Sequence, residues 1–277
     1  MNEDTQCGSI MDKTDWAHRW QSQMQKATFK GVNAAFWDNW AKSLPPKVGP
    51  SGYVEEILDR LDLTPEDSLL DVGAGTGALA IPLARRVKRL TALDQSPYML
   101  DIILDKAKKE NLSNIITINK DWTKIRAGED IKQHDVVLVS RSLPSGEDII
   151  SSLELINNAA RRSCYITWKA DSSDRLESEL CKLLGIEYHS FPDYIVLCNL
   201  LYSMGIRANV ELFRTHGKRV FRSLEEAYIQ IVRSHLVKDE DTRKRIMDFL
   251  SAKLVHEDGD YCQPRSVLWA LVWWNKG

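Results

Sequence analysis

Between residues 68 and 168, short apolar runs alternate with longer segments in which apolar side chains recur every three or four positions. The short runs predict buried β-strands, and the longer segments predict amphipathic helices. Strands separated by helices of this length form right-handed crossovers, which produce a mostly parallel sheet covered on both faces. The predicted strands are 68–72, 90–93, 115–118, 135–139 and 164–168, and the predicted helices are 78–87, 97–110 and 147–160.

The N-terminal part of the chain follows helical spacing instead. Residues 15–41 carry four tryptophans and are followed by proline and glycine breakers, which predicts a helical cap over residues 1–50 and a main domain over residues 51–277. Helical spacing favours packing of these tryptophans against the core, and a lining for an apolar ligand pocket is the alternative. They are Trp16, Trp20, Trp37 and Trp40.

Further elements are predicted on either side of the alternating region. A helix is expected at 53–61, and helices at 175–184, 194–204, 223–236 and 239–254 follow residue 170. Strands are expected at 209–213 and 267–274. The last two helices therefore form a helical insertion at about residues 221–256, between the last two strands.

Composition narrows the class of protein. With 277 residues, 43% of them hydrophobic and 27% charged, the chain suits one principal folded domain with appendages. The formal net charge of -2 gives no global positive field, which argues against nucleic acid as a partner. The best candidate for a local basic stripe is interpreted as a solvated loop at a strand end, and it comprises Arg214, His216, Lys218, Arg219 and Arg222.

Cysteine usage and hydropathy indicate the cellular compartment in which the protein is expected. The five cysteines are scattered without a C-x-x-C pair, which supports neither a disulfide framework nor a zinc site. No His, Cys and Asp cluster has the spacing of metal ligands, and no apolar stretch reaches the length of a membrane span. We therefore expect a cytoplasmic protein without a metal.

A glycine-rich turn follows the first predicted strand and opens a helix. Gly73, Ala74, Gly75 and Gly77 would let the backbone approach a ligand closely and offer amide donors. The turn also satisfies the dinucleotide pattern G-x-G-x-x-G/A, so alone it does not choose a cofactor. Asp94, at the end of the second strand, can accept hydrogen bonds from ribose hydroxyls of either cofactor. The alternative is that Asp94 only caps the next helix, and this is disfavoured because Ser96 is the better N-cap.

Two acidic positions favour a particular cofactor class. Asp71 stands before the glycines, where the dinucleotide fingerprint has an apolar residue, and Asp121-Trp122 offers a carboxylate and an aromatic face to an adenine. In order and spacing, residues 71–77, Asp94, Asp121 and the strand at 134–140 resemble the cofactor motifs of class I S-adenosylmethionine-dependent methyltransferases. The resemblance covers roughly residues 52–170.

The resemblance implies an α/β fold with a doubly wound, mostly parallel seven-stranded sheet whose last strand is antiparallel. It implies S-adenosylmethionine as methyl donor and S-adenosylhomocysteine as product, with Asp71 near the positively charged methionine part. The helical insertion and the C-terminal tryptophans depart from the family pattern. The implied cofactor-binding residues are Asp71, Gly73, Ala74, Gly75, Gly77, Asp94, Gln95, Asp121, Trp122 and Ser140.

A sulfonium donor is already activated, so methyl transfer requires positioning of the acceptor and no protein nucleophile. The segment 140–144 should face the acceptor, and it lacks the Asn/Asp-Pro-Pro-Tyr/Phe tetrapeptide of many amino-methylating enzymes. Arg141 would pair either with an anionic acceptor or with a neighbouring loop. His216 is a weak candidate for a general base, and a solvated histidine is the alternative.

Four hypotheses about function follow from these observations. The leading one is methylation of a small molecule enclosed under the helical caps. The second is methylation of tRNA or protein, which the basic stripe would support. The third is a NAD-dependent oxidoreductase, which Asp71 and Asp121-Trp122 disfavour. The fourth is a non-catalytic S-adenosylmethionine-binding module, since a fold alone does not establish turnover.

Overall fold

The computed structural model describes residues 15–28, 38, 42, 52–143, 148–171, 175–232, 236, 237 and 239–276. Within these ranges the chain forms a central sheet with helices on both faces. The strands are β1 Ser68–Val72, β2 Arg89–Asp94, β3 Ile115–Asn119, β4 His134–Ser140, β5 Ala160–Lys169, β6 Asn209–Phe221, β7 Val255–Glu257 and β8 Asp260–Asn275. The helices are α1 Trp16–Lys26, α2 Tyr53–Arg60, α3 Ala80–Ala84, α4 Pro97–Lys109, α5 Ile149–Ala159, α6 Arg175–Leu184, α7 Tyr194–Ser203, α8 Leu224–Ile231 and α9 Glu240–Lys253.

The strand order is β3-β2-β1-β4-β5-β8-β6, with the short β7 paired to β8. Strands β1 to β5 are parallel, whereas β8 runs antiparallel to both β5 and β6. This confirms the doubly wound sheet with an antiparallel last strand. Because the order reverses between β1 and β4, their carboxyl ends form the crevice in which ligands bind in such sheets.

Two hydrophobic clusters cover the faces of the sheet. Helices α1, α5 and α7 pack on one face, where Trp20, Leu153 and Leu197 are completely buried. Helices α2, α3 and α4 pack on the other face, around Ile57 and Ile103. The alternation of apolar runs thus produces the expected layered architecture, and both layers hold the ends of β1 and β4 in place.

A third cluster lies apart from the sheet faces. Helices α8 and α9 occupy the region of the expected helical insertion, and α6 joins them. Leu180, Phe221, Ile231 and Ile246 are almost completely buried among these elements. The participation of α6 was not predicted, because its apolar spacing reveals a buried face without revealing its partner.

Several boundaries differ from those that the sequence predicts. Strand β6 extends to Phe221 instead of residue 213, β8 begins at Asp260 instead of residue 267, and α3 is limited to five residues. Strands β6 and β8 pair without interruption from Asn209 opposite Trp273 to Phe221 opposite Tyr261. The interpretation of the basic stripe as a loop was therefore wrong for most of its length, because residues 214–219 lie within β6.

The N-terminal helix packs as the spacing of its aromatic residues predicts. Trp20 is fully buried, and its ring centroid lies 5.2 Å from that of Trp168. The Trp168 indole nitrogen donates to the carbonyl oxygen of Pro192 at 2.7 Å. Trp16 packs at the edge of the same cluster. Trp37 and Trp40 lie outside the described residues.

Candidate active site

The glycine loop follows β1 at the crevice. The Gly73 amide donates to the Leu93 carbonyl oxygen at 2.7 Å, and the Ala74 amide donates to the same oxygen at 3.1 Å. Gly73 has φ of +71°, and a Cβ there would lie 2.4 Å from the Cβ of Ser142. Glycine is therefore required at this position by both conformation and space. The same holds for Gly77, which has φ of +78°. A Cβ there would lie 2.8 Å from Cγ1 of Ile103 in α4.

Asp94 is held between the glycine loop and α4. One carboxylate oxygen accepts from the Gly75 amide at 2.8 Å, and the other accepts from the Ser96 amide at 2.9 Å. Burial raises the pKa of Asp94, and these backbone hydrogen bonds oppose that rise. The Ser96 hydroxyl accepts from the Met99 amide at 3.1 Å, so Ser96 is the N-cap, as predicted. Gln95 lies between them and is half-buried.

Asp71 carries a buried carboxyl group and lies in strand β1, two residues before Gly73. Its side chain is 2% exposed, and its Oδ2 atom has no hydrogen-bond partner among the described residues. Burial, followed by repulsion from Asp94, raises the pKa of Asp71 to about 7. A buried acid without a partner is costly unless a cation or donor meets it. The cationic methionine part of S-adenosylmethionine fits this requirement.

Asp121 and Trp122 follow β3 as expected, and both have local structural partners. The Asp121 carboxylate accepts from the Thr123 amide at 3.2 Å and from the Thr123 hydroxyl at 2.7 Å, which caps a short 3₁₀ helix. Lys124 lies 3.2 Å from the same carboxylate. Trp122 is buried in the core on the α1 face of the sheet. Their contact with an adenine stays a prediction.

A buried group of three hydroxyls lies at the carboxyl end of β4. The Tyr53 hydroxyl is 2.8 Å from Ser140 Oγ and 2.5 Å from Thr167 Oγ1. Ser140 was predicted from its strand end, and the same rule applied to β5 would have found Thr167. Tyr53 was missed because it comes from α2, far away in sequence, and no local pattern indicates the contact.

Arg141 and His216 are placed very differently. Arg141 has φ of +58°, is exposed, and holds its guanidinium carbon 4.5 Å from the Tyr53 ring centroid and 5.8 Å from that of Trp269. His216 is exposed in the middle of β6 rather than near the end of the strand. The structure thus places Arg141 at the crevice beside Ser140. Among the described residues, it shows no contact between His216 and the residues of the crevice.

N-terminal residues contact two other segments of the fold, one of which lies next to Asp94 at the crevice. Near the start of α7, the Thr28 amide donates to the His189 carbonyl oxygen at 3.0 Å, and the His189 amide donates to Thr28 Oγ1 at 3.0 Å. On the β2 side, the carboxylate of Asp38 accepts from the Ser96 hydroxyl next to Asp94. The Lys42 ammonium lies 5.4 Å from the Tyr98 ring centroid on the same side.

In the described part of the chain, no group of three or more His, Cys, Asp or Glu side chains is arranged to hold a metal ion. None of the described helices is long and apolar enough to cross a membrane.

Fold and crevice together define an α/β protein of the methyltransferase type. A methyltransferase domain family model matches residues 69–162, which include the glycine loop, Asp94 and Asp121. An uncharacterized protein of Haemophilus influenzae is 30% identical over 243 residues, which are 86% of this chain and 88% of that protein. The ribosomal RNA small subunit methyltransferase A of Clostridium botulinum is 27% identical over 135 residues, 48% of either chain.

A solved structure from Bacillus halodurans, described as a methyltransferase, has a TM-score of 0.56 and 15% identity, and the match covers 81% of this chain and 99% of that one. This chain belongs to the class I S-adenosylmethionine-dependent methyltransferases. Its cofactor is S-adenosylmethionine, so the expectation of that cofactor in place of NAD is confirmed.

Proposed function

We propose that this methyltransferase acts on a small molecule held at the carboxyl ends of β1 and β4. The observation that carries the proposal is the contact of an N-terminal residue with the edge of the crevice, where Asp38 accepts from the Ser96 hydroxyl next to Asp94. An acceptor of small size suits a crevice that is flanked in this way, because closure around it excludes water.

The basic stripe gives little support to a nucleic-acid acceptor. Lys218 forms an ion pair with Glu257 at 2.5 Å, and Arg222 forms one with Glu226 at 3.1 Å. Arg214 donates to the Ser266 hydroxyl at 3.2 Å. Because two of these cations are already neutralised, the stripe offers less charge for phosphate binding than the sequence suggests. The likeness to the ribosomal RNA enzyme covers only half of the chain.

The geometry of the crevice supports the cofactor-binding residues that the sequence suggests. Asp71 would meet the cationic methionine part, and the loop of Gly73, Ala74, Gly75 and Gly77 would lie against it. Asp94 and Gln95 would bind the ribose, Asp121 and Trp122 the adenine, and Ser140 the region of the reacting methyl. Each of these residues offers the kind of group, polar, aromatic or open backbone, that the corresponding part of the cofactor would contact.

The cofactor supplies a methyl group that is activated by its bond to a positively charged sulfur. The residues of the chain bind, orient and exclude water, which is sufficient for an in-line displacement. Ser140 is held by its hydrogen bond with Tyr53, and Ser142 packs against Gly73. These contacts would keep in place the surface that an acceptor contacts. No nucleophilic residue takes part in this scheme.

A labelling experiment tests the proposal. Purified protein and S-adenosylmethionine carrying a radioactive methyl group are incubated with an ultrafiltered metabolite extract, with total RNA and with a protein extract. We expect label in the metabolite fraction and loss of the labelling in Asp94→Ala. Label confined to RNA or protein would support the macromolecular alternative. Binding of S-adenosylhomocysteine without any transfer would support the non-catalytic alternative.

A further inference from the structure

Arg141 adopts a backbone conformation that side-chain-bearing residues avoid. Its φ of +58° lies in the left-handed region, where a Cβ crowds the backbone. Its amide donates to the Thr167 carbonyl oxygen at 3.2 Å, which fixes the chain at the end of β4. Such conformations persist where the surrounding structure enforces them, and they are concentrated at functional sites. The Arg141 side chain is exposed and directly follows Ser140 at the end of β4.

The guanidinium rests on a rigid aromatic surface. It lies 4.5 Å from the Tyr53 ring centroid, and Tyr53 in turn contacts Trp269 with ring centroids 4.8 Å apart. The Trp269 indole nitrogen donates to Thr215 Oγ1 at 3.0 Å. Stacking uses the face of the guanidinium and leaves its N–H edge able to donate to an oxyanion in a fixed orientation.

A comparison with Arg60 shows what is unusual about Arg141. Arg60 also lies over an aromatic ring, 4.8 Å from the centroid of Phe213, but it donates to the Glu211 carboxylate at 2.8 Å. Among the residues that the structure describes, no carboxylate forms an ion pair with Arg141. Arg141 is therefore a cation that is oriented but not neutralised within that part of the chain.

Its position ties this charge to the reaction. Arg141 lies between Ser140 and Ser142, and Ser142 packs against Gly73 of the glycine loop. We propose that Arg141 binds an anionic oxygen group, a carboxylate or a phosphate, of the methyl acceptor. The proposal rests on the proposed function, since it names the chemical class of that acceptor. The methionine carboxylate of the cofactor is the other source of the same chemistry, and the experiment separates the two.

The first arm of the experiment measures nucleoside binding by calorimetry to wild type, Arg141→Gln and Arg141→Lys. Arg207→Gln is the matched control, because Arg207 also stacks on a tyrosine, 4.1 Å from the Tyr202 ring centroid, outside the crevice. The ligands are S-adenosylhomocysteine and 5′-methylthioadenosine, which lacks the carboxylate. We expect every variant to bind both as wild type does.

The second arm adds benzoate, phenyl phosphate or the neutral benzamide to each protein saturated with S-adenosylhomocysteine. We expect at least one of the anions to bind wild type and to bind Arg141→Gln about tenfold or more weakly, the usual effect of losing a charge-assisted hydrogen bond. Arg141→Lys should retain part of the affinity, Arg207→Gln all of it, and benzamide should not respond to either change.

Two results would overturn the proposal. If Arg141→Gln weakens S-adenosylhomocysteine and leaves 5′-methylthioadenosine unchanged, Arg141 serves the cofactor carboxylate. If neither anion binds wild type, or if both bind Arg141→Gln equally well, no acceptor anion site exists at Arg141. Failure of the proposed function is a separate outcome, since it appears in the labelling experiment, whereas these binding measurements need no turnover.

Discussion

Replacement of Asp71 by Asn should make the unliganded protein more stable at high pH. The Asp71 carboxyl is buried, its Oδ2 atom lacks a hydrogen-bond partner among the described residues, and its pKa is raised from 3.8 to about 7. The folded pKa thus exceeds the unfolded one. The stabilisation of the protonated form is complete below the unfolded value of 3.8 and is lost as the pH rises through about 7.

The size of the effect follows from the shift. A difference of roughly 3 pH units at about 1.36 kcal/mol each corresponds to about 4 kcal/mol of lost stability above pH 7. At pH 5 only the first part of this loss has occurred, about 1.5 kcal/mol. The stability of Asp71→Asn relative to wild type should therefore increase by about 3 kcal/mol between pH 5 and pH 8, because other ionisations cancel in the comparison.

The same substitution should act on cofactor binding in the opposite sense. If the ionised carboxylate meets the cationic methionine part, wild type must release a proton on binding below pH 7. The dissociation constant of S-adenosylhomocysteine should then rise about fivefold from pH 7 to pH 6 in wild type, because half of the carboxyl groups are already protonated at pH 7. Asp71→Asn should bind weakly, with little dependence on pH in this range.

Urea unfolding at pH 5 and pH 8 and calorimetry at pH 6, 7 and 8 provide the measurements. Asp135→Asn is a control of opposite sign, because a hydrogen bond from Arg161 lowers the pKa of Asp135. Its carboxylate stabilises the fold above the unfolded pKa, so the control should be destabilised at pH 8. Parallel pH profiles for wild type and Asp71→Asn would refute the reasoning about Asp71.

Two further predictions concern packing. Gly73→Ala should lose about 2–4 kcal/mol in urea unfolding from strain and overpacking, whereas Gly75→Ala, with Met99 3.8 Å away, should lose only about 1–2 kcal/mol; equal losses would contradict the clash with Ser142. Trp20→Ala should lose about 3–5 kcal/mol. Trp20→Phe should lose much less, because the buried indole nitrogen has no hydrogen-bond partner among the described residues; equally large losses would contradict this.

The sequence predicted the sheet well because its strands are buried on both faces. Residues 68–72 and 136–139 are buried and mostly apolar, and this pattern is recognisable in the sequence wherever the strand lies in a parallel sheet. Strand β6 lost that signal beyond Phe213, because it lies at the edge and presents His216 and Lys218 to solvent. Only pairing with β8, which is distant in sequence, shows that the strand continues.

The residues of the candidate site differ in the same way in whether the sequence predicts them. Asp71, the glycines and Asp94 were found because each directly follows or ends a buried strand, and a short motif records that arrangement. Tyr53 and Asp38 were not found, since their contacts with Ser140 and Ser96 are made across the fold. Local patterns encode what a strand end presents, whereas the walls of the crevice depend on tertiary packing.

Two features that oppose folding lie together at this crevice. Asp71 is buried without a described partner for Oδ2, and Arg141 adopts positive φ. Hydrophobic clusters on both faces of the sheet offset these effects by holding β1 and β4 in place. A ligand with a cation for Asp71 would remove one of the costs, so ligand binding and stability are coupled here. The residues that lower the stability of the free protein are thus the ones that the proposed chemistry requires.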